Sequence, residues 1–402
     1  MKLFRSLAPL ALAAALLAAC GGGDPDVPGS GSPSGAPTTP GNFTAIVSFG
    51  DSLSDVGTYS PFPAAFGIQG GKFTTNGPDG TVWVENVAAS LGLPLTPAEV
   101  GFNGQSVKCP AALQSTVPAI QKSCTAYGQG GARVTSPNGI GRDPATGAGA
   151  LTVPVVTQIA NHLANPAFGG RFADTDLIMV YAGNNDVFVQ FGTFAAKAGQ
   201  IQAQAAAGQI TVDQANALLF QAQTEAQEGM KTAAIELATL VKTEILAKGG
   251  KYVAVMTLSD IADTPFGNSP QVAPARSVLT DLSRIFNLWL RESLTGQPVR
   301  IIDTFARFKD LVNDPAAQGI TNTTVPACDA VKIAAATTTD PQLPGGPITD
   351  GSSLFCGPDQ LRDTPPASAT TWFFADSVHP STGGHRAISE GILADLRSFG
   401  WI

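Results

Sequence analysis

Ser52 follows a short apolar run, Ile46 to Phe49, that breaks at once into Gly50-Asp51-Ser52-Leu53-Ser54-Asp55. A buried strand ending this way delivers a hydroxyl to the edge of a sheet, where open α/β folds bind ligands. A serine hydroxyl is a poor nucleophile until a base takes its proton. A histidine suits that task near neutral pH, provided a carboxylate fixes its tautomer. The histidines are His162, His379 and His385. His379 stands in Asp376-Ser377-Val378-His379-Pro380, and a spacing of three lets the Asp376 carboxylate reach the ring from the same turn. The oxyanion of a tetrahedral intermediate needs fixed donors. Candidates are the backbone N–H of Ser52, that of Gly131 in Gly128-Gln129-Gly130-Gly131-Ala132, and the side-chain amide of Asn185 in Gly183-Asn184-Asn185-Asp186. The plainer alternatives are a Ser/Asp turn at Ser52, a capping Asp376 beside a surface His379, and an ordinary glycine loop. His162 reads as a surface or capping residue of its helix, and His385 as a packing residue at the start of the last one.

Those residues need elements to hold them. The apolar runs near residues 46, 178, 253 and 300 read as strands. Between them, 82–92, 153–164, 277–294 and 382–399 carry helical spacing of apolar residues. Alternation of this kind predicts a parallel sheet with helices on both faces. The Ala-, Gln- and Glu-rich stretch 194–248, interrupted near Gly208, reads as an antiparallel helical hairpin. Residues 103–136 and 314–371 read mostly as loop. There is no internal repeat.

The ends and the composition bound the setting. Residues 1–19 carry Lys2 and Arg5 and then an apolar run too short to span a bilayer, which is the pattern of a signal peptide. Residues 20–41 are nearly all Gly, Pro, Ser, Thr and Asp and predict a flexible tether, with one folded domain over 42–402. Charged residues make up 13% of the chain, against roughly 25% in a typical soluble protein, which fits a secreted protein. The net charge of −8 and the lack of a basic cluster disfavour nucleic acid as a partner. Beyond Cys20 the cysteines are Cys109, Cys124, Cys328 and Cys356. Four cysteines allow three pairings; Cys109–Cys124 and Cys328–Cys356 are expected because each pair brackets a loop-like segment. Zinc is disfavoured by the absence of Cys-x-x-Cys and the placement of the histidines. No metal or other cofactor is expected.

Leu17-Ala18-Ala19-Cys20 resembles a bacterial lipobox. That likeness implies a lipid on Cys20, and Gly21 after it implies an outer-membrane lipoprotein, periplasmic or surface-facing, if not a secreted protein. The serine, glycine, Gly-Asn-Asn-Asp and Asp-Ser-Val-His-Pro blocks, in that order, resemble the GDSL family of the SGNH hydrolases. Asn76-Gly77 followed by Val82-Trp83-Val84-Glu85 is similar to its bacterial lecithinase and haemolysin-like branch. The resemblance implies a three-layer α/β/α sandwich with a flavodoxin-like parallel sheet, here with a helical-hairpin insertion. It makes Ser52 the nucleophile, His379 the base and Asp376 its orienting acid, with Ser52, Gly131 and Asn185 as the oxyanion hole. Family spacing favours Gly131 over Gly130 there. The implied activity is hydrolysis of a lipid or small acyl ester through an acyl-enzyme, by a monomer. The alternatives are a polysaccharide O-acetylesterase and a non-catalytic, surface-anchored binding module.

Overall fold

The apolar run that ends at the serine turn becomes a central strand of a parallel sheet in the computed structural model, which describes residues 34–338 and 347–402. The strands are β1 (Ala45–Gly50), β2 (Glu99–Phe102), β3 (Gln105–Lys108), β4 (Asp176–Tyr181), β5 (Tyr252–Met256) and β6 (Arg300–Ile302). β1, β4, β5 and β6 lie side by side in that order, all parallel, with Ile46 opposite Leu177 and Gly50 opposite Tyr181. Helices cover both faces, so these strands run through consecutive apolar residues instead of alternating. Every residue of β4 and β5 is buried.

The sheet gains a fifth member where the sequence reads as loop. The Ser48 N–H donates to Thr125 O at 2.9 Å, and the Tyr127 N–H donates to Ser48 O at 2.8 Å. The segment 125–127 therefore pairs with the free side of β1 and gives the flavodoxin-like order, second strand first. β2 and β3 form a separate antiparallel hairpin at the start of that loop-like stretch, with β2 just before it.

The helices of eight residues or more are α1 (Trp83–Ser90), α2 (Val155–Ala164), α3 (Asn184–Ala206), α4 (Val212–Leu240), α5 (Arg276–Ser293), α6 (Thr304–Asn313) and α7 (Thr382–Ser398). α1 packs on α7, and α4 packs on α3 and α5, which makes the three-layer α/β/α sandwich. α3 and α4 form the helical hairpin, but α3 starts ten residues before the expected 194, directly at the end of β4. Asn184, Asn185 and Asp186 are weak helix formers that favour caps, so the sequence pattern conceals that start. The hairpin turns at Gly208, and Thr211 then caps α4 with a Thr211/Gln214 capping box.

His162 differs from the expected surface residue. It is fully buried, with its ring stacked 4.5 Å from both Phe168 and Phe172 and edge-on to Phe49 and Tyr127. The flat apolar faces of the imidazole let an aromatic box accept it.

The stretch expected as a tether, 20–41, is described only from Ser34 onward, and that part lies on the domain. The Trp401 indole donates to Pro37 O at 2.8 Å, the Gly41 N–H donates to Trp401 O, and the Ser34 N–H donates to Gln297 O. The expected signal peptide, Cys20 and the lipobox-like motif lie outside the described residues. No helix among the described residues is long and apolar enough to cross a membrane.

Candidate active site

β1 and β4 end side by side, and the chains leaving them in opposite directions open a crevice at the point where the strand order reverses. Ser52 lies just past β1 in a single 3-10 turn, which Asp51 caps by accepting the Leu53 N–H at 3.1 Å. Asn184 and Asn185 lie just past β4 in the first turn of α3. Gly183 joins strand to helix at φ 115°, where a Cβ would meet the Phe286 ring at 2.6 Å, so only glycine makes this junction without strain.

His379 comes from the loop before α7. Its Nε2 is 2.8 Å from Ser52 Oγ, and its Nδ1 is 2.8 Å from Asp376 Oδ2. Asp376 is itself held on several sides. Oδ1 accepts the N–H groups of Val378 and His379 at 2.9 and 2.7 Å, and Oδ2 accepts the Ser353 N–H at 2.9 Å. Burial alone would raise the Asp376 pKa, but the facing His379 charge and these hydrogen bonds outweigh it and hold the carboxyl below its ordinary range. Asp376 thus stays ionised and accepts from Nδ1, which leaves Nε2 free to take a proton from Ser52. The Phe73 ring packs 4.8 Å from the imidazole and walls that side.

Donors gather around the same serine. The Gly130 N–H is engaged, donating to Asp55 Oδ2 at 2.9 Å. The N–H groups of Ser52 and Gly131 meet no acceptor among the described residues. Gly131 sits at φ 78° with Ile140 O only 2.0 Å from where a Cβ would stand, so a side chain there would break the loop. The Asn185 amide donates one hydrogen to Ala132 O at 2.8 Å, which fixes its plane and leaves its second hydrogen available.

Several positioning residues have no role assigned from sequence, although Asp51, Asp55 and Asp186 stand inside the serine and Gly-Asn-Asn-Asp blocks. Asp55 ties the serine loop to the glycine loop, accepting from Gly57, Thr58 and Gly130. Asp51 accepts the Asn184 amide at 3.0 Å and so links the ends of β1 and β4. Burial pushes both Asp51 and Asp55 up to about 6, against the lowering effect of those hydrogen bonds. Asp186 pairs with Arg133 at 2.8 Å and accepts the Val134 N–H at 3.1 Å, fastening the segment after Gly131 to α3. Ser353 belongs to the loop closed by Cys328–Cys356, so that disulfide stands behind the Asp376 contact. Cys328 also donates its N–H to Ala375 O. The other disulfide joins Cys109 to Cys124, with their Cα atoms 5.3 Å apart. His385 is buried, and its Nδ1 accepts the Trp83 N–H at 3.2 Å. It thereby caps α1 in place of Val82, which has no polar side chain, and burial lowers its pKa to about 3.

A cavity of about 370 Å³ opens beside Ser52 and His379. Its walls are mostly apolar, with Leu53, Phe188, Phe308, Leu311, Phe374 and Ile392 among them. The arrangement suits attack by a hydroxyl on an acyl carbon, with an apolar substituent accommodated next to it.

No curated protein matches the chain. The GDSL-like Lipase/Acylhydrolase family model matches residues 46–392. That match runs from β1 into α7 and takes in all four blocks around the crevice, so the chain belongs to the GDSL-like lipase/acylhydrolase family and is a hydrolase of ester bonds.

Proposed function

We propose that the chain is a serine carboxylic-ester hydrolase in which Ser52 is the nucleophile, His379 the general base and Asp376 the residue that orients and charges the imidazole. The observation that carries this reading is the unbroken chain of contacts from Ser52 Oγ to His379 Nε2 at 2.8 Å and from His379 Nδ1 to Asp376 at 2.8 Å. His379 takes the hydroxyl proton as Ser52 Oγ attacks the ester carbonyl. The oxyanion is received by the N–H of Ser52, the N–H of Gly131 and the free amide hydrogen of Asn185, each worth a few kcal/mol in the barrier. Collapse expels the alcohol, which takes its proton from His379 Nε2. Water, deprotonated by the same nitrogen, then releases the acid from Ser52.

The substrate in this reading is an acyl ester of a lipid or a small alcohol. An apolar cavity beside the serine favours an acyl chain over the acetylated sugar of a polysaccharide esterase. The intact proton relay speaks against an idle binding module. The cellular setting proposed is the envelope, with the chain held to the outer membrane by a lipid on Cys20 and working as a monomer.

Ser52→Ala is the direct test. Turnover of p-nitrophenyl butyrate should fall to background while circular dichroism and the melting temperature stay close to those of the parent. Retained turnover in a folded variant would mean that another residue is the nucleophile.

A further inference from the structure

The cavity beside Ser52 continues along α7. Pro380, Ala387, Ile388, Gly391 and Ile392 line it in sequence order. At 1.5 Å per helical residue, the first turn of α7 lies roughly 14 Å from Gly391. Facing α7 across the cavity are Arg307, Phe308 and Leu311 of α6. Arg307 is drawn over Gly391 by its ion pair with Asp395, one turn further on, in which its Nε donates to Asp395 Oδ2 at 2.8 Å.

Gly391 is the odd residue on this wall. The interior of a helix disfavours glycine relative to alanine, and nothing in the backbone here demands it. A Cβ at Gly391 would have the Arg307 side chain as its nearest neighbour, with Cδ and one guanidinium nitrogen each at 3.4 Å. What the missing side chain preserves is the seat of the Arg307 side chain against α7, where the Arg307–Asp395 pair stands at this end of the cavity.

We propose that the acyl chain of the substrate runs from Ser52 along α7 toward Gly391, and that Gly391, floored by Arg307, sets the longest chain the enzyme accepts. This inference rests on the nucleophile assigned to Ser52 and adds the substrate class. The roughly 14 Å along α7 from its first turn to Gly391 matches the extended length of a medium acyl chain. The preferred substrates in this reading are medium-chain acyl esters, octanoyl to dodecanoyl, with the alcohol part directed away from α7.

The test is a chain-length series of p-nitrophenyl esters, acetate to palmitate, on the parent, Gly391→Ala and Gly391→Leu. The parent should peak between octanoate and dodecanoate. Gly391→Leu should lose about ten-fold or more in kcat/KM on decanoate, since each excluded methylene is worth about that much, and should stay within about two-fold on acetate and butyrate. Gly391→Ala, whose Cβ fits at ordinary contact, should move the optimum to shorter chains while remaining folded. Equal loss at every chain length, or an unchanged optimum in the folded Ala variant, would overturn the assignment of Gly391. Octyl acetate carries the chain on the alcohol instead; selective loss on that ester in Gly391→Leu would place the alcohol in the cavity and overturn it too. Loss of all turnover in Ser52→Ala with an unshifted Gly391 series leaves the nucleophile standing and removes only the chain-length reading.

Discussion

At the scale of single residues, the site depends on one carboxylate more than on any other neighbour of the histidine. Asp376 accepts from Ser353, Val378, His379 N–H and His379 Nδ1 at once, which an ionised carboxylate can do because both of its oxygens are acceptors only. An asparagine that keeps its oxygen for the Val378 and His379 N–H groups presents its NH₂ in the Oδ2 position, toward the Ser353 N–H and Nδ1. Donation to Nδ1 favours the imidazole tautomer with its proton on Nε2, which cannot take the Ser52 proton. Asp376→Asn should lower kcat by roughly 10³- to 10⁴-fold with little change in melting temperature. A loss under ten-fold on p-nitrophenyl butyrate would show that Asp376 does not set the tautomer. Asp376 and His379 are legible in the sequence because three residues on one turn bring them together. Ser353 is not, because its donor N–H reaches Asp376 from 23 residues away across a disulfide loop, and a backbone N–H carries no residue signature.

At the scale of elements, α2 presents the clearest cost. Both ring nitrogens of His162 are buried and without a partner among the described residues. Burial lowers its pKa from 6.5 to about 4. Between those values the unfolded chain binds a proton on His162 that the folded chain does not, so the stability it allows at neutral pH is lost as pH falls from about 6.5 through about 4. Phenylalanine has a similar shape and no polar atoms. His162→Phe should raise the melting temperature and flatten the acid limb of the stability curve, by on the order of 3 kcal/mol at the low end of that window. Asp51, Asp55 and His385 also titrate with shifted values but are common to both proteins, so comparing variant with parent isolates His162. An identical acid limb in the variant, followed by urea melts at several pH values, would refute the account. Helical periodicity placed α2 correctly, yet it gave no hint of this burial. The box is built from Phe49 on β1, Tyr127 beside it, and Phe168 and Phe172 in the loop before β4, residues that meet only once the sheet has formed.

For the whole molecule, the described part of the N-terminal stretch runs along the edge of the sheet where the strands begin, away from Ser52. Trp401 is fully buried, and its indole N–H has Pro37 O as its acceptor. The Tyr252 hydroxyl faces Thr39 O and Pro40 O at 3.4 and 3.3 Å. A protein beginning at Gly41 leaves the indole without that acceptor, at a cost of about 1–3 kcal/mol. It should melt several degrees below one beginning at Cys20, while its turnover at 25 °C is unchanged. Equal melting temperatures would mean that Ser34–Pro40 contributes nothing to the fold. The sequence by itself determined the layer architecture and the order of the four blocks, because strand and helix periodicities are local and short motifs keep their residue types visible. The tertiary structure alone decided which donors remain free, what covers the other face of β1 and how deep the cavity beside Ser52 runs. Each of those depends on distances between segments far apart in the chain, and no local pattern encodes them.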